Sequence, residues 1–161
     1  MEGKRVSETS ATMMYQMLPE DANPMGNVHG GVIMRLVDTC AGVVALRHGR
    51  KNAVTASIDR MDFHHPVYVG NLLILRASLN LVGRTSMEVG VRVEAEDVLT
   101  GEIRHTASAY LSFVALDEHG TPSTVPPLIL ETQEEKRRNG EAKTRREARL
   151  SEKAREKRSQ G

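Results

Sequence analysis

The sequence predicts one α+β domain in which a long helix is wrapped by a five-stranded antiparallel sheet. Its 161 residues, of which 39% are hydrophobic, suit a single domain with one core. One apolar segment in the first third of the chain lacks the alternation of a strand, whereas the segments around it are extended or alternate with a period of two. The later segments are joined by links short enough for hairpins or simple crossovers.

The first strand and the helix are expected in the first fifty residues. Residues 11–18, ATMMYQML, are extended in character and end at Pro19. Residues 30–48, GGVIMRLVDTCAGVVALRH, have apolar side chains on nearly every side of a helix. A helix that is apolar all round is expected to be buried. Asn27 is placed to cap this helix, and Gly49 is placed to end it.

Four further strands are expected after the helix, at residues 53–63, 71–83, 86–96 and 103–116. The clearest is SMEVGVRVEAE, in which apolar residues alternate with Glu and Arg, as in a strand with one buried face. Leu-Thr-Gly-Glu at 99–102 predicts the turn to its hairpin partner. Because a sheet this small leaves part of a central helix poorly covered, we expect a second copy of the chain to pack against the first.

The composition changes after Pro126 and Pro127. Residues 131–161 contain eleven Lys or Arg and seven Glu, and only one leucine and a few alanines could be buried. A capping box and two charge pairs favour a helix there: Thr132 with Glu135, Glu134 with Arg138, and Glu141 with Arg145. We therefore expect a domain at residues 1–125 and a charged extension at 126–161, helical or partly disordered and solvated. Its mixed charge argues against a basic arm for nucleic acid.

Several observations bear on compartment and partners. The chain has no apolar run long enough to span a membrane and no apolar signal core at its N-terminus. Cys40, the single cysteine, excludes an internal disulfide and agrees with a reducing compartment. With no Trp, two Phe and three Tyr, the chain lacks the stacking surface of a single-strand nucleic-acid binder. We expect a soluble, cytoplasmic protein with no membrane or nucleic-acid partner.

Asp38 is the only carboxylate in the predicted helix. A carboxylate among apolar residues costs several kcal/mol unless other groups pair with it. One interpretation is a satisfied polar group at a subunit interface. The other is a general base or nucleophile, since backbone N–H groups and the dipole at the start of the helix can stabilise a developing oxyanion. The helix pattern leaves both interpretations open.

Other chemistry is less favoured by the sequence. His29 and His48 lie at opposite ends of the helix, about 28 Å apart at 1.5 Å per residue, and cannot share an ion. His64 and His65 are neighbours on an extended segment and point to opposite faces. Cys40 lies in the apolar run and is expected to be a core thiol. We therefore expect no metal site.

Four motifs in order resemble one family: DANPMGNVHGGVIMRLVDTCAGVVALRH, AVTASIDRMDFHHPVYVGN, GRTSMEVGVRVEAED and VPPLILETQEEKRR. The chain is similar over most of residues 11–138 to the hotdog-fold acyl-CoA thioesterases, which include animal cytosolic long-chain acyl-CoA hydrolases and small bacterial thioesterases. The resemblance implies the hotdog fold, with one long helix wrapped by five antiparallel strands. It also implies homodimers with two active sites across the interface, often assembled as a trimer of dimers.

The resemblance assigns roles to single residues. Asp38 matches the helix carboxylate that acts as base or nucleophile, and Asn23 matches the asparagine supplied by the neighbouring subunit to orient water or the thioester carbonyl. Two glycines, Gly30 and Gly31, would present backbone N–H groups to the carbonyl oxygen. The residues at the coenzyme A end would be Arg84, Thr85 and Ser86, which could equally be no more than a cap on a strand turn.

The function implied is hydrolysis of fatty acyl-CoA to free acid and coenzyme A. No cofactor is expected, since coenzyme A is part of the substrate. Two alternatives stay open. One is a non-catalytic regulator that binds acyl-CoA, for which the charged extension would be the only candidate effector. The other is a hotdog hydratase or dehydratase, which usually carries a catalytic histidine or paired acids on the helix, and His29 keeps this alternative open.

Overall fold

The chain folds as a long helix held against one face of a five-stranded antiparallel sheet, in a computed structural model that describes residues 1–161. The helices are α1 (Val6–Thr9), α2 (Gly30–Gly49) and α3 (Gln133–Ser159), with one 3₁₀ turn at Pro19–Asp21. The strands are β1 (Lys4–Arg5), β2 (Ala11–Gln16), β3 (Asn52–Phe63), β4 (Leu72–Val82), β5 (Ser86–Glu96), β6 (Ile103–Leu116) and β7 (Leu128–Ile129). The predicted fold is confirmed, and the five sheet strands lie within two residues of their predicted bounds.

The strands of the main sheet follow the order β2-β4-β5-β6-β3, so β2 and β3 are its two edges. All four pairings are antiparallel. The alternating apolar residues of β5 and β6 face α2 and are buried, as the period of two requires: Met87, Val89, Val91 and Val93, with Ala107, Ala109, Leu111 and Phe113. The edge strand β3 contains two register shifts, at Thr55/Ser57 and at Ile58/Arg60. Strand β3 is thus a long, irregular edge of the sheet with a neighbouring strand on one side only.

Helix α2 differs from its prediction in two ways. Its N-cap is His29, whose carbonyl oxygen accepts from the N–H groups of Val32 and Ile33, and not Asn27. The helix is also not buried all round in the single chain. Its sheet-facing side is buried, but Met34 and Leu46 are 41% and 43% exposed. An apolar helix stripe left in water is what a second copy of the chain would cover, so the apolar pattern anticipates burial beyond one chain.

The C-terminal extension forms a helix whose first half docks on the outer face of the sheet, while residues 151–161 are exposed. Thr132 caps α3, its hydroxyl accepting from the Glu135 N–H, which confirms the capping box. Glu134 and Arg138 do pair, at 3.3 Å. Arg145, however, bonds a carboxylate of the sheet and not Glu141. The division of the chain at residue 126 stays a prediction.

The N- and C-terminal segments meet beside the end of α2. Strand β1 pairs with β7 in a short parallel ladder. The Lys4 ammonium group donates to the carbonyl oxygens of Arg47 and His48, at 3.1 and 2.8 Å. These carbonyls belong to the last turn of α2, where a cation is favoured by the helix dipole. The segment leading to α3 is thereby fixed close to the body of the domain.

Candidate active site

Asp38 and Thr55 form the centre of the candidate site. Asp38 lies in the middle of α2 on the side that faces edge strand β3, and its side chain is half-buried. Thr55 pairs with the core residue Phe113 of β6, so its side chain points towards α2. The Thr55 hydroxyl donates to Asp38 Oδ1 at 2.6 Å, while Asp38 Oδ2 has no partner in the chain. One carboxylate oxygen is therefore held in place and the other is free to act.

The start of α2 offers two free hydrogen-bond donors. The N–H groups of Gly30 and Gly31 make no hydrogen bond within the chain, as is usual for the first residues of a helix. A Cβ on Gly31 would meet no atom within 4 Å, and one on Gly30 would lie 3.6 Å from the Phe63 ring. The absence of side chains leaves both N–H groups open to a ligand oxygen, at the end of the helix where the dipole favours negative charge.

These donors are too far from Asp38 to act with it within one chain. Seven and eight residues of helix separate Gly31 and Gly30 from Asp38, which corresponds to about 10 to 12 Å along the axis. A single small ligand group cannot contact both Asp38 and these N–H groups of one α2. Asp38 and the two N–H groups can therefore act on one ligand only if Asp38 comes from one copy of the chain and the N–H groups come from another.

The Asn23 side chain is held with its amide NH₂ group free. Its Oδ1 accepts from the backbone N–H groups of Met25 and Asn27, at 3.0 and 3.2 Å, which closes the loop before α2. Because these two donors require the oxygen, the Nδ2 group is directed away from them and has no partner in the chain. Asn23 can therefore donate to an oxygen of a ligand or water, and it also shapes its own loop.

The residues expected at the coenzyme A end lie in the turn between β4 and β5: Arg84, Thr85 and Ser86. This turn does act as a strand cap, since the Gly83 N–H donates to the Ser86 carbonyl oxygen at 2.8 Å. The Arg84 guanidinium is exposed and has no carboxylate partner. Ser86 and Val54 pair with the same residue, Val114 of β6. The turn is thus about 10 Å, two strand spacings, from the strand segment that carries Thr55.

A cavity of about 350 Å³ opens beside the start of α2. Apolar side chains and two imidazoles line it: Val28, Ile33, Phe63, His64, His65, Pro66 and Val67. His29 is exposed at the N-cap, far along the helix from Asp38. Gly30 also lines this cavity, so its mostly apolar walls adjoin the start of the helix, a composition typical of small-molecule sites.

Cys40 and His48, the two remaining candidates on α2, are buried in the core. Burial raises the pKa of the Cys40 thiol to about 11, so it is protonated and unreactive at neutral pH. His48 is fully buried at the end of α2. No group of three or more His, Cys, Asp and Glu side chains is arranged to hold a metal ion. No helix is both long enough and apolar enough to cross a membrane.

Sequence reasoning missed Thr55. The segment AVTASIDRMDF alternates only partly, and a threonine at an inward position of a strand is a common core residue. The available signal was its polar hydroxyl on the face that the pattern assigns to the core. That face could not be matched to Asp38 without knowing that β3 is the sheet edge beside α2.

Comparisons with known proteins place the chain among thioesterases. Residues 25–102 match the thioesterase superfamily. The chain is 43% identical over 141 residues to protein VdlD of Helicobacter pylori, covering 88% of this chain and 80% of that one. It is 38% identical to the uncharacterized acyl-CoA thioester hydrolase YkhA of Bacillus subtilis over 128 residues, 80% and 74% of the two chains. It is 37% identical to the mouse cytosolic acyl coenzyme A thioester hydrolase over 146 residues, 89% of this chain but 38% of the mouse enzyme.

Solved structures of acyl-CoA hydrolases superpose closely on the fold. The Staphylococcus aureus acyl-CoA hydrolase in complex with butyryl coenzyme A and coenzyme A gives a TM-score of 0.89 at 34% identity, covering 97% of this chain and 95% of that one. A hexameric acyl-CoA thioesterase gives 0.91 at 38% identity, covering 96% and 99%. Structures of the Staphylococcus aureus enzyme include alanine variants of an asparagine, of an aspartate 15 residues later and of a threonine 17 residues after that.

Proposed function

The chain belongs to the thioesterase superfamily, as an acyl-CoA thioester hydrolase, and from this membership we propose that it cleaves fatty acyl-CoA to the free fatty acid and coenzyme A. The observation that carries the proposal is the hydrogen bond from Thr55 to Asp38, which holds one carboxylate oxygen and leaves the other free. Asp38 is the base or nucleophile of this reaction, and Thr55 orients it.

The sequence separations between Asn23, Asp38 and Thr55 support their assignment to the active site. Asn23, Asp38 and Thr55 are separated by 15 and 17 residues, as are the asparagine, aspartate and threonine replaced by alanine in the Staphylococcus aureus hydrolase. Asn23 and Asp38 were predicted from the motifs, whereas Thr55 is added by its contact with Asp38. The three side chains form the polar part of the site.

The site is assembled from two protomers. Since Gly30 and Gly31 lie about 10 to 12 Å along the helix from Asp38 of the same chain, one carbonyl can be held only between the helix start of one protomer and Asp38 of another. Asn23, in the loop before α2, acts with Gly30 and Gly31. The exposed apolar side chains of α2 and of edge strand β3 supply the surface for pairing: Met34, Leu46, Val54, Ile58 and Phe63. The assembly is a homodimer, and three dimers form the hexamer, as in hexameric relatives.

The chemistry follows from these positions. The thioester carbonyl oxygen accepts from Gly30 and Gly31 N–H groups of one protomer, which stabilise the negative charge that develops on it. Asp38 of the other protomer either takes a proton from a water molecule held by Asn23 or attacks the carbonyl carbon to form a mixed anhydride that water then hydrolyses. The coenzyme A thiolate is a good leaving group. A strong general acid is therefore unnecessary.

Arg84, Thr85 and Ser86 bind the coenzyme A portion. The unpaired Arg84 guanidinium suits a phosphate, and the turn lies two strands from the Thr55 segment. The reaction requires no cofactor beyond the coenzyme A of the substrate. The protein acts in the cytoplasm and has neither a nucleic-acid nor a membrane partner.

The test is release of free thiol from a panel of acyl-CoA esters of increasing chain length, followed with a thiol reagent. The wild-type protein is expected to release thiol, and Asp38→Asn is expected to reduce the rate at least about a hundredfold. The control Asp62→Asn makes the same chemical change at a carboxylate of strand β3 that pairs with Arg60, and it should leave the rate unchanged. An active Asp38→Asn protein would overturn the mechanism.

The two alternatives are outcomes of the same assay. Tight binding of acyl-CoA without thiol release would identify a regulator, and hydration of an enoyl-CoA would identify a hydratase. Base and nucleophile are separated by single turnover in ¹⁸O-labelled water. Transfer of the label to Asp38 requires an anhydride that water cleaves at the aspartyl carbon, whereas a base leaves Asp38 unlabelled and the label in the fatty acid, as would an anhydride cleaved at its acyl carbon.

A further inference from the structure

Helix α3 is attached to the outer face of the sheet mainly by charged side chains. Ala142 is its only buried residue. Asn139 donates to the Asn80 carbonyl oxygen of β4 at 2.9 Å. The contacts that follow along the helix are arginine–carboxylate pairs. A helix held in this way contributes little apolar burial to the core, so its contacts call for an explanation other than core stability.

The first arginine contact anchors α3 over the centre of the sheet. The Glu88 side chain of β5 is 4% exposed, and both of its oxygens accept from Arg145, at 2.9 Å each. Asn80 donates to the same carboxylate at 3.1 Å, and the Arg145 guanidinium lies 3.7 Å from the centre of the Tyr110 ring. A Cβ on Gly90 would come within 2.7 Å of the Asn80 amide, so the glycine makes room for this contact. The bidentate ion pair between Arg145 and Glu88 fixes the position of α3 on the sheet.

The second arginine contact reaches the edge of the sheet. One turn further along α3, Arg149 pairs with Asp59 of β3, and the two side chains are only 27% and 15% exposed. The other Asp59 oxygen accepts from the Ser57 hydroxyl at 3.1 Å. Asp59 lies within the register shift between Ile58 and Arg60. Arg149 therefore holds β3 where its regular pairing with β6 is interrupted.

This part of β3 carries the hydroxyl that orients the candidate base. Thr55 lies four residues before Asp59, next to the other register shift of the strand. Register shifts leave residues out of the ladder, so the strand between them is held by fewer backbone hydrogen bonds. As an edge strand, β3 has a neighbour in the chain on one side only, β6. An additional contact from α3 compensates for both deficits.

We propose that Arg149 is a positioning residue of the active site, which acts through Asp59 to hold β3 and thereby Thr55 against Asp38. Arg145 and Glu88 set the position of α3 so that Arg149 reaches Asp59. The charged C-terminal helix thus has a role in catalysis without touching the substrate. The inference rests on the proposed function, because it concerns the same base.

The alternative is that α3 only stabilises the fold. A stabilising contact, once lost, would lower the melting temperature and leave the turnover of the folded enzyme unchanged. A positioning contact would change kcat more than KM, and its effect would depend on Thr55. Arg149→Ala, Arg149→Lys and the control Arg155→Ala separate these cases. Arg155 lies on the same helix, is exposed and has no partner in the chain.

The experiment uses the assembled full-length protein and two readouts. In the first, Arg149→Ala is expected to lower kcat about threefold to tenfold with KM changed less than about twofold, while Arg149→Lys recovers part of the loss and Arg155→Ala has no effect. In a Thr55→Val background, Arg149→Ala should have little further effect. An equal loss of kcat in both backgrounds, or no loss in the wild-type background, would overturn the proposal.

The second readout does not depend on activity. Amide hydrogen exchange of residues 55–60 should accelerate in Arg149→Ala and not in Arg155→Ala, because opening of this strand segment becomes easier. Unchanged exchange there would overturn the proposal. If the wild-type protein releases no thiol from any acyl-CoA, the proposed function fails, and hydrogen exchange still decides whether Arg149 holds β3.

Discussion

The Thr55 hydroxyl donates to Asp38 Oδ1 at 2.6 Å and so joins the edge strand of the sheet to the middle of α2. The bond occupies one oxygen of a half-buried carboxylate that has no cationic partner in the chain. A carboxylate with one hydrogen bond and one free oxygen has a fixed direction and a free lone pair. That is the arrangement a base or nucleophile requires.

Replacing Thr55 by valine should lower kcat about tenfold to a hundredfold, because the side chain keeps its shape but cannot orient Asp38. Thr55→Ser, which keeps the hydroxyl, should retain most of the activity. Steady-state thiol release for both variants measures the difference. Equal activity of the valine and wild-type proteins would show that the hydrogen bond has no part in turnover.

Asn23→Asp should abolish hydrolysis while its loop stays folded. The aspartate can still accept from the Met25 and Asn27 N–H groups, but it has no NH₂ donor for the carbonyl oxygen or water. We expect a loss of at least about a hundredfold in kcat. Asn71→Asp is the matched control, since Asn71 Oδ1 likewise accepts a backbone N–H, that of Tyr68, at 2.9 Å. An Asn23→Asp enzyme as active as the control would remove Asn23 from the site.

The stability of the fold should fall in mild acid because of His48. Burial lowers the pKa of His48 below its usual value of 6.5, and its Nε2–H donates to the Pro126 carbonyl oxygen at 2.7 Å. Its buried Nδ1 has no partner. In the unfolded chain the imidazole binds a proton below about pH 6.5, whereas in the folded chain it does so only at lower pH. Stability is therefore lost as the pH falls from about 6.5 towards the folded pKa.

Melting temperatures between pH 7.5 and pH 5 measure this effect. The decrease should be smaller for His48→Asn than for the wild type, although the variant starts from a lower value. His119→Asn removes an exposed imidazole and should leave the slope unchanged. Parallel curves for wild type and His48→Asn would assign the acid sensitivity to other groups.

The fold was predictable because its signals are local. The alternation in β5 and the apolar pattern of α2 each depend on side chains of a single segment, and both elements form where expected. The order of strands was not predictable, since β3 precedes β4 in sequence but lies at the far edge beside β6. The helix cap was assigned to Asn27 on residue type. The Asn27 N–H instead donates to Asn23 Oδ1 within the loop, and α2 begins three residues later, at Gly30.

The candidate site was predictable only in part, because some of its contacts join residues that are far apart in the sequence. Asp38 is conspicuous as the one carboxylate of an apolar helix. Thr55 is not conspicuous, because the register shifts of β3 disrupt the alternation that would have separated its two faces. Helical spacing predicted an ion pair between Arg145 and Glu141, but Arg145 instead forms a bidentate ion pair with the buried carboxylate of Glu88 on the sheet. Long-range pairs of this kind depend on topology.

The central claim is that each site joins Asp38 of one protomer to Asn23 of another, and mixed oligomers test it most directly. Asp38→Asn and Asn23→Asp proteins, each inactive alone, are unfolded together and refolded at equal concentrations. Half of the dimers formed should contain one chain of each kind, and each mixed dimer should hold one intact and one doubly altered site. Thiol release should therefore recover to about a quarter of the wild-type rate. If the mixture stays as inactive as the separate variants, both residues belong to a site within one chain and the account is wrong.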